Sequence, residues 1–274
     1  MKAITPKQTR TKFLFRSILF CFVFTGFLIL FSLTKAFLPN GLERLAHGII
    51  GTLAALATTV LFLKIHQQKF SSIRLVFERN TLAKFFLGII VGVLIMGLLA
   101  TGVLYFTHAK VEVNQNSNLF HFLLVTSPLL FLAFMEELAF RAYPLEILKN
   151  KIGVAPAIGI TSILFALYHL ANGWTFASAF LGPAIWGLLF GLAAIYSKGI
   201  AMPTGIHYAA NLTTSALGDK NTSSSLWIVK QTDTVITTYK GIDLATILPS
   251  LVLLILVTIL FLFLQARNKP LKRQ

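Results

Sequence analysis

Glu136 and Glu137 stand side by side in a run that is otherwise apolar from Leu119 to Phe140. The chain has 9 acidic residues, and the others (Glu43, Glu78, Glu112, Glu146, Asp219, Asp233 and Asp243) fall in or near polar connections. A charge at bilayer depth costs about 3 kcal/mol on insertion scales, so it is rare unless it faces a protein interior and works there. Arg141 follows Glu137 by four residues, shares its helix face and can pair with it. Glu136 sits about 100° around the same helix and points at something else. Two imidazoles follow in other apolar runs: His169, four residues after Phe165, and His207, four residues before Asn211. The remaining histidines (His47, His66, His108, His121) lie near the ends of runs or in connections.

These residue types suit hydrolysis. A carboxylate in an apolar cavity can serve as general base on water and then as acid toward a leaving group. An imidazole opposite it can position the water, and a second imidazole with an amide on the same helix face can donate to a developing oxyanion. Glu136, His169 and His207 could equally hold a metal ion that activates the water, so the residue types fit both a zinc site and a site with no cofactor. No serine sits in a nucleophile elbow and there is no H-E-x-x-H. The blander alternatives are an ion-pair network that locks helices together and histidines that serve as satisfied interhelical donors.

The elements that must position these groups are membrane helices. Hydrophobic residues make up 56% of the chain and charged residues only 12%, with a mean hydropathy of +0.78. A soluble domain carries about 25% charged residues. Apolar runs at 13–33, 48–65, 85–106, 119–143, 155–170, 174–196, 200–217 and 244–264 predict an all-α polytopic membrane protein of about eight transmembrane helices in a single membrane domain. Gly88, Gly92, Gly97 and Gly102 allow close helix approach along the third run. Pro144 is expected to end or bend the fourth, and Leu145–Lys151 reads as an amphipathic, interfacial turn. Pro203 suggests an irregular start to the seventh. In the longest polar link, Gly218–Ile242, the piece Val235–Tyr239 has the composition of a short strand. The basic N-terminal stretch precedes an apolar run too long for a secretory signal and without a cleavage pattern, so it reads as an uncleaved first span. The only cysteine, Cys21, precludes a disulfide within the chain.

The net charge of +15 comes from basic residues placed between apolar runs. That placement points to orientation and anionic lipid, not to nucleic acid. With the N-terminus inside, the inner connections and tails hold seventeen Lys and Arg, and the outer ones hold six. Both termini are therefore expected in the cytoplasm.

The motifs E-E-x-x-x-R (Glu136, Glu137, Arg141), F-x-x-x-H (Phe165, His169) and H-x-x-x-N (His207, Asn211), in this order on separate apolar runs, resemble the CPBP family of intramembrane proteases. That family includes CAAX prenyl endopeptidases and bacterial Abi-type proteins, some linked to bacteriocin self-immunity. The resemblance covers roughly 119–217, leaving 1–118 and 218–274 as accessory spans and tails. It implies peptide hydrolysis with Glu136 as the base, His169 assisting, His207 and Asn211 as oxyanion-side donors, and Glu137 and Arg141 in support. It implies a membrane-associated or prenylated-type peptide or protein as substrate, and a bacterial plasma membrane as location. Family members have been described both as metalloproteases and as glutamate-dependent enzymes. Two other classes compete: a proton-coupled transporter, against which no repeated half is visible, and a non-proteolytic scaffold or immunity protein, against which every motif residue is present. If the reading holds, Glu136, His169, His207 and Asn211 must converge on one cavity within the membrane, close enough to share a water.

Overall fold

The computed structural model describes residues 6–39, 42–218, 224–230, 238–239 and 242–267. Helix α1 is Pro6–Ser32, α2 Glu43–Ile65 and α3 Thr81–Thr107. A strand β1, Lys110–Val113, precedes α4 (Leu119–Thr126) and α5 (Pro128–Glu137). A π-helical turn, Leu138–Ala142, joins α5 to α6 (Tyr143–Ile152). Then come α7 (Val154–Ala171), α8 (Phe176–Leu181), α9 (Pro183–Ser197) and α10 (Ala201–Ala216). Strand β2, Trp227–Lys230, and the short pair β3 (Thr238–Tyr239) and β4 (Ile242–Asp243) lead into α11, Leu244–Arg267. Residues Thr238 and Tyr239 of the expected strand are thus extended, and its remaining residues, 235–237, lie outside the described residues.

Among the described residues, seven stretches are long and apolar enough to cross a bilayer: Arg10–Phe37, Glu43–Ile65, Thr81–Thr107, Leu119–Ile152, Val154–Ala171, Phe176–Ser197 and Ile247–Arg267. The all-α polytopic fold is as expected. The outward faces of α3 and α11 carry exposed apolar side chains such as Leu94, Ile90, Ile255 and Ile259, a surface suited to lipid. The remaining apolar run forms α10, whose 16 residues span about 24 Å at 1.5 Å per residue. That is short of the roughly 30 Å of a hydrocarbon core. Its start is regular: Pro203 sits in the first turn, where the missing N–H breaks no helical bond.

The fourth span departs most from expectation. It is interrupted at Ser127–Pro128, widens into the π turn immediately after Glu137, and runs on through Pro144 to Ile152. Pro144 has no N–H to give the Phe140 carbonyl. The wider turn upstream shifts the hydrogen-bond register, so of the two expected outcomes, an end or a bend, the helix does not end at Pro144. As a result Tyr143–Leu148 is buried helix rather than an interfacial turn. Glu146, expected in a polar connection, is buried as well and pairs with Arg74 (3.6 Å) and Lys149. The sixth span breaks similarly at Gly182–Pro183, dividing α8 from α9.

Helices α3 and α10 approach closely because glycines face each other's backbone. A Cβ on Gly88 would lie 2.2 Å from the Met202 carbonyl oxygen, and one on Gly205 would lie 2.1 Å from that of Phe85. Gly92 also faces α10, while Gly97 and Gly102 face open space. Gly205→Ala is therefore expected to push the helices apart and to lower stability by about 1–3 kcal/mol, the usual penalty of overpacking. Gly97→Ala should leave thermal unfolding in detergent unchanged. Equal melting points for the two variants would contradict this packing.

Contacts define the two ends of the bundle. At one end, the Lys151 ammonium lies over the Phe13 ring (4.9 Å), the Tyr143 hydroxyl is 2.8 Å from His66 Nδ1, and Arg74 donates to the Ile195 carbonyl (3.3 Å). Burial, and after it the charge of Arg16, hold the His66 imidazole below its ordinary range. At the other end β1 pairs antiparallel with β2, Lys110 opposite Lys230 and Val113 opposite Trp227, and Lys35 meets His47 at 2.6 Å.

Candidate active site

The π turn sets the first pair. Glu137 ends α5 and Arg141 lies within the turn, and both side chains are fully buried (0% exposed) with Nη1 3.4 Å from Oε1. The contact is an ion pair without hydrogen-bond geometry: none of the three guanidinium nitrogens has a hydrogen-bond partner among the described residues. Aromatic rings hold the group instead. The guanidinium carbon lies 4.3 Å from the Phe165 ring centroid, 5.3 Å from that of Phe190 and 5.9 Å from that of Phe140. Such faces attract a desolvated cation by about 2 kcal/mol. Gly187 leaves the space, since a Cβ there would come within 3.1 Å of Arg141 Nη2.

His207 joins the two glutamates. Its Nδ1 donates to Glu137 Oε1 at 2.9 Å, and its Nε2 lies 3.5 Å from Glu136 Oε2. Phe190 stacks on the ring (4.5 Å between centroids, 16° between planes), and Phe165 meets it edge-on at 6.1 Å. The glycine contact of α10 with α3 carries His207 to this depth. The i,i+4 pair expected between Glu137 and Arg141 forms, and the same Glu137 oxygen also meets His207. Both nitrogens of His207, expected as an oxyanion-side donor beside Asn211, face carboxylates. Side-chain exposure is graded, with Glu136 at 14%, His207 at 9% and Glu137 at 0%. Only Glu136 of the two carboxylates therefore opens to the space above.

That space is a cavity of about 630 Å³, lined by Glu136, His169, His207 and Asn211. All four residues line this chamber, with Glu137 and Arg141 beneath it, and of the four only Glu136 and His207 are in contact. His169 donates from Nδ1 to the Phe165 carbonyl (2.9 Å), and its ring packs against Phe165 (4.6 Å) and Trp174 (5.0 Å). A carbonyl can only accept, so Nδ1 carries the hydrogen and Nε2 of the neutral ring is an acceptor. Phe165 therefore contributes twice, as the carbonyl that orients His169 and as the ring that faces Arg141 and His207. The walls also include Tyr168, Asn172, Trp174 and Trp186, and the Gly182–Pro183 break borders the cavity. Sequence reasoning misses these. Asn172 looks only like a helix end, and nothing local marks a wall residue of a cavity built from several helices.

The donor set can be weighed against a metal. Nδ1–H bonds to a carboxylate and a carbonyl are the outer-shell partners that metal-bound histidines have. Among the described residues, however, no three His, Cys, Asp or Glu side chains are gathered closely enough to hold an ion. Glu136 and His207 face each other, and His169 joins no such group. As arranged, these residues do not fit a three-ligand site.

Carboxylates and imidazoles thus line a chamber inside a bundle of long apolar helices, in a polytopic membrane protein. Residues 117–213 match the family model of the Rce1-like type II CAAX prenyl endopeptidases, a span that contains every motif residue from Glu136 to Asn211. The match covers about a third of the chain and falls on the stretch whose motifs resemble the CPBP family. No curated protein matches the chain.

Proposed function

We propose that the protein hydrolyses a peptide bond with water activated by Glu136, while His207, braced by Glu137, holds and returns the proton. The observation that carries this reading is the Glu137–His207–Glu136 series at the floor of a cavity that His169 and Asn211 also line. Glu136 takes a proton from water as the hydroxide forms a bond to the carbonyl carbon and the π pair moves to oxygen. A proton on Glu136 or on His207 Nε2 completes the contact between them, and Glu137 steadies the imidazolium through Nδ1–H. The acceptor Nε2 of His169 suits the second hydrogen of the water. Asn211 donates to the oxyanion. Collapse breaks the C–N bond, and the leaving amine takes the proton back. The substrate is a polypeptide in or at the membrane.

The test is a comparison of new peptide termini in membranes that hold the wild-type protein or Glu136→Gln. Termini present only with the wild type identify substrates; identical sets of termini would count against proteolysis. Because no step is routed through a metal, purified protein treated with a chelator should keep its activity. Loss on chelation with recovery on zinc addition would make Glu136, His169 and His207 ligands after a rearrangement of His169.

A further inference from the structure

We infer that the substrate reaches Glu136 from the non-cytoplasmic side of the membrane. The polypeptide cleaved is then a segment presented at the outer leaflet, not a prenylated C-terminus offered from the cytoplasm. This inference rests on the reading of the cavity as a proteolytic site, and three observations carry it.

The cavity runs to only one end of the bundle. Its wall includes Arg44 at the start of α2, Trp174 after α7, Ser215 near the end of α10 and Val229 in β2. Arg44, Trp174 and Val229 are exposed, and all four belong to the end where β1 pairs with β2. None of the residues that mark the opposite end (Phe13, His66, Arg74, Glu146, Lys151) lines it.

The path to that opposite end is filled. Below Glu136 lie the Glu137–Arg141 pair and the fully buried side chains of Phe140, Tyr143, Leu145 and Leu148. A substrate arriving there would have to displace a buried ion pair and its aromatic cage.

Charge orients the two ends. Among the described residues, the connections and helix ends on the closed side carry thirteen Lys and Arg, against four (Lys35, Arg44, Lys110 and Lys230) on the open side. Short basic connections stay in the cytoplasm, so the closed end is cytoplasmic and the cavity mouth faces outward. The upper wall, with Met96, Leu99, Leu132 and Trp186, suits apolar side chains next to the scissile bond.

The test uses the full-length protein with its only cysteine replaced (Cys21→Ala) and one new cysteine at a time. Ser215→Cys lies in the cavity, Val229→Cys at its mouth and Ser72→Cys on the exposed loop between α2 and α3. A membrane-impermeant maleimide should label Ser215→Cys and Val229→Cys in intact cells, and Ser72→Cys only after permeabilisation. Labelling of Ser72→Cys in intact cells, with the other two protected until permeabilisation, would overturn the orientation. Labelling of Val229→Cys without Ser215→Cys in intact cells would overturn the access route. Labelling needs no turnover, so it can fail while Glu136 proves to be the base, and it can succeed on a protein that cleaves nothing.

Discussion

Glu136→Gln abolishes the production of new peptide termini and leaves the protein folded. The amide keeps the shape of the carboxylate and can still hydrogen-bond His207 Nε2, 3.5 Å from the present oxygen. Side-chain exposure of 14% means no deeply buried charge is removed or stranded, so the melting temperature in detergent should stay near that of the wild type. The chemistry is what goes. An amide cannot take a proton from water, and positioned acid–base groups typically contribute about 100- to 10,000-fold in rate. Asn211→Ala makes the contrast. It removes one oxyanion donor, a loss of about 100- to 1,000-fold, and should leave activity measurable with a verified substrate at high enzyme concentration. A Glu136→Gln protein that cleaved such a substrate at the wild-type rate would remove Glu136 from the mechanism.

The site is legible in sequence wherever spacing within one helix decides the outcome. Glu137 and Arg141 pair because four residues make about one turn, and the buried Glu-Glu step stands out because the run around it is apolar. What the spacing leaves open is how helices meet. The periodicity of α10 puts His207 and Asn211 on one face but says nothing of which carboxylate that face will touch. The answer depends on how deeply α10 settles against α3, set by the glycine-to-backbone contacts at Gly88 and Gly205. The π turn is hidden for a similar reason. Pro144 signals a local conflict, and only the packing of Tyr143–Leu148 into the core determines that the chain resolves it by widening a turn instead of ending the helix. Glu146 reads as a connection residue because its partner Arg74 arrives from a loop 72 residues earlier.

Arg141→Ala should cost about 3–5 kcal/mol of stability, the usual result of removing one partner from a buried ion pair. The loss comes chiefly from what remains. Glu137 is fully buried, and its second oxygen, Oε2, has no hydrogen-bond partner among the described residues. Without the guanidinium, His207 alone must compensate that carboxylate. The variant also empties the space among Phe140, Phe165 and Phe190, and Phe165 and Phe190 support the His207 ring. Activity should therefore fall together with melting temperature, whereas Glu136→Gln separates the two. Arg141→Lys keeps the charge but loses the planar group that faces the rings, and should recover only part of the stability. A double-mutant cycle isolates the pair. Adding Glu137→Gln to Arg141→Ala removes the stranded charge, so the double variant should be less destabilised than the sum of the two single changes. Additive losses, or an Arg141→Ala protein that melts like the wild type, would show that the 3.4 Å contact contributes nothing to holding the turn beneath the cavity.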